Sequence, residues 1–264
     1  MIMISIVIPL YNKAHTIERT LGSVLNQTFK DFEIVIVNDG STDNGVEVIK
    51  NFTKDPRIRI VNQENQGVSA ARNRGVAEAK YEYLAFLDGD DEWLFLYLQA
   101  VVDAIKKYPD AGMICTALMV MGKNVCSFRI AEKYKNKSLK INYFENPHMF
   151  GHTSSNVIKK TVFQQTQEFP VGMKENEDYA CFFSIALITN VIYIGIPLSI
   201  YHGDVIGQAT SSINNNERVK HIVNRFNLCY EKWVDTGKKN QLFLTFMKYE
   251  LRTTILSRLK SKNR

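Results

Sequence analysis

Over the first half of the chain, short apolar runs alternate with stretches whose apolar side chains recur every three or four positions. The short runs are of strand length and several are rich in β-branched residues, so they predict buried strands. The periodic stretches predict amphipathic helices that turn one face toward a core. The predicted strands are 3–9, 33–37, 57–61, 84–87 and 111–120. The predicted helices are 14–27, 46–52, 67–79 and 94–108.

This alternation predicts an α/β fold in which a mostly parallel sheet carries helices on both faces. The pattern is less regular afterwards, and residues 121–150 give no clear assignment. A helix is predicted at 179–187, strands at 191–195 and 198–201, and helices from about 216 onward. We therefore predict one α/β domain over 1–215 and a C-terminal helical extension over 216–264, with aromatic residues of the extension as candidates for packing.

The strand predicted at 84–87 runs directly into acidic residues. Asp88, Asp90 and Asp91 follow it, with Gly89 allowing a turn between the first two. Ionised carboxylates are costly to bury without partners, so we expect them at the carboxyl edge of the sheet, facing water or a cation. Carboxylate oxygens suit Mg²⁺ or Mn²⁺. The alternative is an acidic turn that precedes and stabilises the next helix.

Two other strands are followed by polar or aromatic residues that we expect at the same edge. Pro9 and Tyr11 follow the first strand, and Asp39 lies in the turn after the second. An aromatic ring, a turn carboxylate and a carboxylate pair suit a nucleoside diphosphate whose charge a metal neutralises. The structural alternatives are a core-edge tyrosine and an Asx turn at Asp39. No strand is followed by Gly-x-Gly-x-x-Gly and no Walker lysine motif occurs, so both of those nucleotide fingerprints are missing.

Composition narrows the class of protein. The 264 residues are 45% hydrophobic and 23% charged, which is typical of globular proteins. The net charge of +6 permits anionic ligands or membrane surfaces but does not by itself indicate nucleic acid, which we do not predict as a partner. The four cysteines lack a Cys-x-x-Cys pair, which disfavours a zinc site and favours a reducing compartment. We see no signal peptide and no membrane-spanning apolar run, and expect a cytoplasmic protein, soluble or peripheral.

Four segments resemble, in order and spacing, the successive motifs of glycosyltransferase family 2. They are 5–12, 37–43, 67–75 and 86–93. The resemblance extends over about residues 3–205 and is strongest over 3–110. It implies the GT-A fold, with a nucleotide-sugar-binding half at 1–110 and an acceptor-binding half at 111–215. It also implies a nucleotide-sugar donor, commonly a uridine-linked one.

The resemblance implies roles for single residues. The implied nucleotide-sugar contacts are Pro9 and Tyr11 against the base, Asp39 bonded to the base, Arg72 near the nucleotide and Asp88 near the ribose. Asp90 is implied as the ligand of Mn²⁺ or Mg²⁺, with Asp91 as a weaker candidate neighbour. His202 is a second metal candidate, although a lone histidine is usually structural. The alternative for Arg72 is an ion pair on the face of a helix.

A second acidic pair, Glu177 and Asp178, resembles the pair that precedes the acceptor-side helix in this family. The resemblance implies Asp178 as the catalytic base of an inverting transfer. Such a transfer needs one carboxylate to take the proton of the acceptor hydroxyl, while a metal stabilises the leaving diphosphate. Glu177 is a helix-start charge or an acceptor contact, and residues 208–212 are a candidate lid over the donor.

The sequence thus predicts an inverting, metal-dependent glycosyltransferase that acts on a saccharide or lipid-linked acceptor, in surface polysaccharide synthesis. Two alternatives stay open: a module of this fold that binds nucleotide sugar without transfer, and a basic protein that binds nucleic acid or a membrane surface. We also expect peripheral contact between the C-terminal helices and the inner face of the cell membrane. The oligomeric state is not predicted.

Overall fold

A computed structural model describes residues 1–123, 125–130, 132–203 and 215–262 of the protein. The strands in these residues are β1 (Ile4–Leu10), β2 (Phe32–Asp39), β3 (Ile58–Gln63), β4 (Tyr83–Phe86), β5 (Glu92–Trp93), β6 (Ala111–Gly122), β7 (Val125–Arg129), β8 (Ser138–Ile141), β9 (Asn156–Lys159) and β10 (Asn190–His202). The helices are α1 (Ile17–Leu25), α2 (Gly45–Phe52), α3 (Val68–Glu78), α4 (Tyr97–Lys107), α5 (Pro147–Phe150), α6 (Lys160–Phe163), α7 (Glu177–Ile188), α8 (Asn215–Asp235) and α9 (Gln241–Lys262). Short 3₁₀ turns lie at Glu132–Tyr134, Tyr143–Glu145 and Thr153–Ser155.

The described strands form one sheet in the order β3-β2-β1-β4-β9-β6-β10-β5, with β7 beside β6 and β8 beside β10. The first four strands pair in parallel, as predicted, and so do β6 and β10. The strands β5, β7, β8 and β9 pair antiparallel with their neighbours, so the second half of the sheet is mixed. The predicted α/β architecture is confirmed, and the parallel arrangement is confined mainly to its first half.

Two apolar cores cover the two faces of the sheet. On one face, Ile6 of β1 packs with Leu21 of α1 and residues of α4. On the other face, Val7 packs beneath α3, and an aromatic core joins α7, α8 and α9. Gly75 lets α3 approach β1, because a Cβ at that position would collide with the Val7 side chain. This close seating fixes the height of α3, and of Arg72 on it, above the sheet.

Two helices begin later than predicted, because the residues expected in their first turns are hydrogen-bonded to a side chain or to a strand instead. Helix α1 begins at Ile17, not at 14, since the backbone N–H of Ala14 donates to the Asp43 carboxylate at 2.8 Å. Helix α4 begins at Tyr97, not at 94. The residues before it form β5 against β10, and the N–H of Leu94 donates to the carbonyl of Leu198 in β10 at 2.9 Å.

The second half differs more from the prediction. The two strands predicted at 191–195 and 198–201 are a single strand, β10, whose register shifts on either side of Pro197. The unassigned residues 121–150 contain β7, β8 and α5. The candidate lid at 208–212 lies outside the described residues. Within the described part of the chain, none of the helices is both long enough and apolar enough to cross a membrane.

Candidate active site

The loops that follow β1 and β2 are tied together by short polar side chains. The side-chain oxygen of Asn12 accepts the N–H of Thr42 at 2.8 Å, and the N–H of Asn12 donates to the Ser41 hydroxyl at 3.2 Å. Asn12 itself has φ of 52°, a left-handed conformation that asparagine tolerates. These contacts hold the end of β1 beside the end of β2, with Tyr11 on the rim at 46% exposure. Sequence reasoning missed their role, although Asn and Ser in a turn cluster are a signal for it.

The Asp39 carboxylate joins β2 to the start of α3. Its Oδ1 accepts from the Gln63 side chain at 2.7 Å and from the N–H of Gln66 at 2.9 Å. Its Oδ2 accepts the N–H of Gly67 at 2.9 Å and no other hydrogen bond from the described residues. The Asp39 oxygens are thus bonded to residues 63–67 and do not form an Asx turn, while the side-chain oxygen of the preceding Asn38 accepts the N–H of Ser41 at 3.1 Å. A carboxylate oxygen has two lone pairs, so Oδ2 retains one for a ligand N–H.

Arg72 joins the two acidic clusters. Its guanidinium lies 2.7 Å from Asp88 and 3.1 Å from Glu177, and stacks 5.2 Å above the ring of Phe169. Arg72 is only 3% exposed. Burial alone would lower the pKa of Arg72, but Asp88 and Glu177 outweigh it and raise that pKa. Arg72 therefore forms ion pairs that link segments far apart in the chain, and its role near the nucleotide stays a prediction.

Asp178 lies beside Glu177 in the first turn of α7, at the same cluster. Removal from water and, next, the charge of Glu177 raise the pKa of Asp178 to about 7, against the opposing effect of Arg72. The charge of Asp88 also raises the pKa of Asp178. A carboxylate with a pKa near neutrality is suited to accept a proton at physiological pH.

Asp90 lies on the other side of this edge, against the loop after β1. Its Oδ2 forms an ion pair with Lys13 at 2.6 Å, and both side chains are 16% exposed. A Cβ at Gly89 would be 3.2 Å from the carbonyl oxygen of Pro9, so the acidic loop packs directly on the end of β1. Sequence reasoning missed Lys13, because no local pattern relates it to a residue 77 positions away.

Asp91 is engaged by protein groups rather than by solvent. It is 1% exposed, and its carboxylate accepts the Ser154 hydroxyl hydrogen at 2.6 Å. Burial first, and then the charge of Asp88, raise the pKa of Asp91 well above its ordinary value. The same serine accepts the N–H of Asp88 at 3.2 Å, and its carbonyl accepts the indole N–H of Trp93 at 2.6 Å. Ser154 therefore shapes the acidic loop, a role that sequence reasoning did not find.

His202, at the end of β10, also meets the acidic segment. Its imidazole Nε2 lies 2.6 Å from the Glu92 carboxylate, and its backbone N–H donates to the Asp91 carboxylate at 3.4 Å. Glu92 also lies 3.3 Å from Arg19. The structure thus places His202 beside the acidic loop, and its role as a metal ligand stays a prediction.

The predicted site residues fall along one edge of the sheet. Arg72, Asp88 and Glu177 are in direct contact, with Asp178 next to them. Asp39 is bonded to the residues just before α3, the helix that carries Arg72. Asp90 lies in the same loop as Asp88. In the described residues, no cluster of three or more His, Cys, Asp or Glu side chains forms a ready metal cage. The oxygen donors present suit an ion bound through one or two carboxylates plus phosphate oxygens, which is how Mg²⁺ commonly binds.

Known proteins resemble part of the sequence of this chain. A family model described as "Glycosyl transferase family 2" matches residues 5–165. The uncharacterized glycosyltransferase YibD of Escherichia coli is 46% identical over 90 residues, which are 34% of this chain and 26% of that protein. Chondroitin synthase of Pasteurella multocida is 45% identical over 115 residues, 43% of this chain and 12% of the synthase. The matched segment is thus a minor part of each relative.

Two solved structures resemble the whole described architecture. S. aureus TarS 1–349 in complex with UDP superposes with a TM-score of 0.74 at 16% identity, covering 93% of this chain and 71% of that one. The mannosyltransferase PcManGT from Pyrobaculum calidifontis, in complex with GDP-Man and Mn²⁺, gives 0.61 at 17% identity, covering 94% and 68%. At these identities the comparison establishes the fold alone.

Proposed function

This chain belongs to glycosyltransferase family 2 and has the GT-A fold, and we propose that it transfers a sugar from a UDP-sugar to a hydroxyl of a saccharide or lipid-linked acceptor, with inversion. The observation that carries this proposal is the meeting of the Asp88 and Glu177 clusters through Arg72 at one edge of the sheet. In this proposal residues 1–110 hold the donor and 111–215 hold the acceptor. The helices α8 and α9 belong to an extension over 216–264, and surface polysaccharide synthesis is the setting.

The donor would lie across the ends of β1, β2 and β4. Tyr11 is exposed on the rim and would stack on the base, with Pro9 beneath the same loop. Asp39 would accept a base N–H with the lone pair that Oδ2 retains. Asp88, whose side chain is partly exposed, would accept from ribose hydroxyls. We commit to uridine because one structural neighbour is in complex with UDP, and guanosine is the competing outcome.

The divalent ion, Mn²⁺ or Mg²⁺, would be held by Asp90, with His202 as a second candidate. When bound, it would neutralise the diphosphate and so favour its departure. Lys13 now neutralises Asp90 at 2.6 Å. A cation at Asp90 would release Lys13 from this pair, which makes its ammonium available to the phosphates. Arg72 contributes differently, by holding Asp88 and Glu177 together despite their like charges.

The chemical step assigned to this chain is one proton transfer. Asp178 accepts the proton of the acceptor hydroxyl as the hydroxyl oxygen forms a bond to the anomeric carbon. The bond between that carbon and the diphosphate oxygen breaks, and its electron pair leaves with the diphosphate. Because the leaving group needs no proton, a single basic carboxylate suffices, unlike the two carboxyl groups of a glycosidase.

The pH profile of transfer should report the ionisation of Asp178. Only the ionised carboxylate accepts a proton, so kcat/KM should rise with pH through about 7 and then level off. The Glu177→Gln variant removes a charge that raises the pKa of Asp178, so this acidic limb should move to lower pH. Initial rates across a pH series measure both profiles.

The matched control is Glu78→Gln, which removes a partly exposed carboxylate at the end of α3, where it pairs with Arg59 and Arg74 instead of with the acidic clusters. It should leave the limb in place. A limb that Glu177→Gln leaves unmoved, or moves to higher pH, would remove Asp178 from the role of base.

Helix α9 supports the proposed contact with a membrane surface. Its outer face combines exposed Tyr249, Ile255 and Leu256 with exposed Lys248 and Arg252. Apolar and cationic side chains on one face suit an anionic lipid surface. Co-sedimentation with anionic vesicles should fall in the Lys248→Glu/Arg252→Glu double variant and at high salt. Equal binding by both proteins would dispose of this contact.

A further inference from the structure

Arg225 of α8 is the largest fully buried side chain in the described residues, and it has no part in the proton transfer or donor binding proposed for this site. Its guanidinium lies among aromatic rings, 4.6 Å from the centre of Phe226, 5.2 Å from Phe183 and 5.6 Å from Tyr179. A charge so far from water is costly unless it is paired. Its partners therefore show what this costly group holds in place.

The two partners of Arg225 lie in different parts of the chain. Its Nη1 donates to the side-chain oxygen of Asn176 at 2.6 Å. Its Nη2 forms an ion pair with Glu250 of α9, also at 2.6 Å. Asn176 immediately precedes Glu177 and Asp178. The C-terminal helices thus reach the segment that carries the proposed base through one buried side chain.

The geometry of Asn176 indicates that its side chain serves this contact. Asparagine at the N-cap of a helix commonly accepts a backbone N–H from the first turn. At the start of α7 no such cap bond forms, and the Asn176 oxygen is bonded to Arg225 instead. The residue also has φ of 66°, in the left-handed region that asparagine tolerates, so the chain enters α7 through a sharp turn at the residue that Arg225 contacts.

A second contact from α8 reaches the same loop. The side chain of Arg218 lies 3.1 Å from Glu175. Arg218 and Arg225 are seven positions apart, so they project from one face of α8. A third contact braces Glu250, which lies 3.4 Å from His148, and the ring of His148 packs 5.2 Å from that of Tyr179. Side chains of α8 therefore contact the loop before α7 at two consecutive residues, Glu175 and Asn176.

We propose that Arg225 is a positioning residue that acts through Asn176 to set the Asp178 carboxylate for proton transfer. This inference rests on the proposed role of Asp178. It follows that the C-terminal helices contribute to turnover and not to the binding of the donor, whose contacts lie at the ends of β1, β2 and β4. Arg225 touches neither substrate nor reacting atoms.

Two variants test the contact from its two sides. Arg225→Met removes the donor group and keeps most of the side-chain volume. Asn176→Gly removes the acceptor oxygen, tolerates the positive φ and leaves the core intact, so it also covers the case in which Arg225→Met fails to fold. Each should lower kcat by about 100-fold, the cost of displacing a catalytic group by roughly 1 Å, while the KM for the donor stays unchanged.

The control is Lys232→Met, also on α8, whose side chain donates instead to the carbonyl of Gln165 at 2.6 Å. It should keep the wild-type kcat. The double variant Arg225→Met/Asn176→Gly should be no slower than the slower single variant, because both remove one interaction. Additive losses, or an equal fall in kcat and rise in the donor KM, would overturn the inference.

Hydrogen exchange separates this inference from the proposed function. The backbone amides of residues 177–180 should exchange faster in Arg225→Met and Asn176→Gly than in Lys232→Met, while those of α3 stay protected. Unchanged exchange at 177–180 would overturn the positioning role even if the enzyme transfers sugar. Faster exchange at 177–180 in the two variants, together with no sugar transfer by the wild-type protein, would instead contradict the proposed function alone.

Discussion

Asp178→Asn should lower the rate of sugar transfer by orders of magnitude and leave the binding of a UDP-sugar intact. The amide has the shape of the carboxylate but cannot accept the proton of the acceptor hydroxyl, and a general base typically contributes about 10²–10⁴-fold to the rate. Arg72 and Asp88 keep their ion pair, so the donor side of the site is preserved. Single-turnover assays measure the loss of rate, and calorimetry with the donor measures the retained affinity.

The control is Asp31→Asn, an exposed carboxylate just before β2, at the opposite edge of the sheet. It should transfer sugar at the wild-type rate. Turnover in Asp178→Asn within a few-fold of wild type would exclude Asp178 as the base. Donor binding without transfer in the wild-type protein, across many acceptors, would favour a module that binds nucleotide sugar only.

Arg72→Met should give the largest loss of stability among single substitutions at this site. It leaves the Asp88 and Glu177 carboxylates next to each other without the cation that now lies 2.7 and 3.1 Å from them. Removing one partner of a buried ion pair costs about 3–5 kcal/mol. Urea unfolding should show this decrease in the free energy of unfolding. Part of it should be recovered at low pH, where protonation relieves the repulsion between the two carboxylates.

Arg74→Met is the matched control, because Arg74 lies on the same helix, is half exposed and pairs with Glu78 at the surface. Surface pairs contribute about 0–1 kcal/mol, so this variant should unfold close to wild type. An equal decrease in the free energy of unfolding in both variants would mean that the Arg72 pairs stabilise the protein no more than a surface pair does. A fall of donor affinity in Arg72→Met alone is expected, since Asp88 is no longer held.

The residues that could be predicted from the sequence are those whose position follows from a local pattern. Asp39, Asp88 and Asp90 follow short apolar runs, and parallel strands bring the ends of such runs to one edge. The period of the apolar residues therefore located most of the first half of the sheet. It also predicts the acidic groups at that edge.

Contacts between segments far apart in the chain could not be predicted in this way. Ser154 bonds to Asp91 across 63 positions and Arg225 to Asn176 across 49, and neither residue stands out in its own segment. The strand β5 is only two residues long, too short for any period. It exists because β10 offers it a partner, and the same holds for the all-exposed β7 beside β6.

The most direct test of a metal-assisted diphosphate site is a calorimetric titration of UDP with and without Mn²⁺, in wild type and in Asp90→Asn. We expect Mn²⁺ to strengthen UDP binding to wild type, and Asp90→Asn to lose this gain while still binding UDP weakly. Equal UDP affinity in all four titrations, or no UDP binding to the wild-type protein, would contradict a metal-assisted diphosphate site at this edge of the sheet.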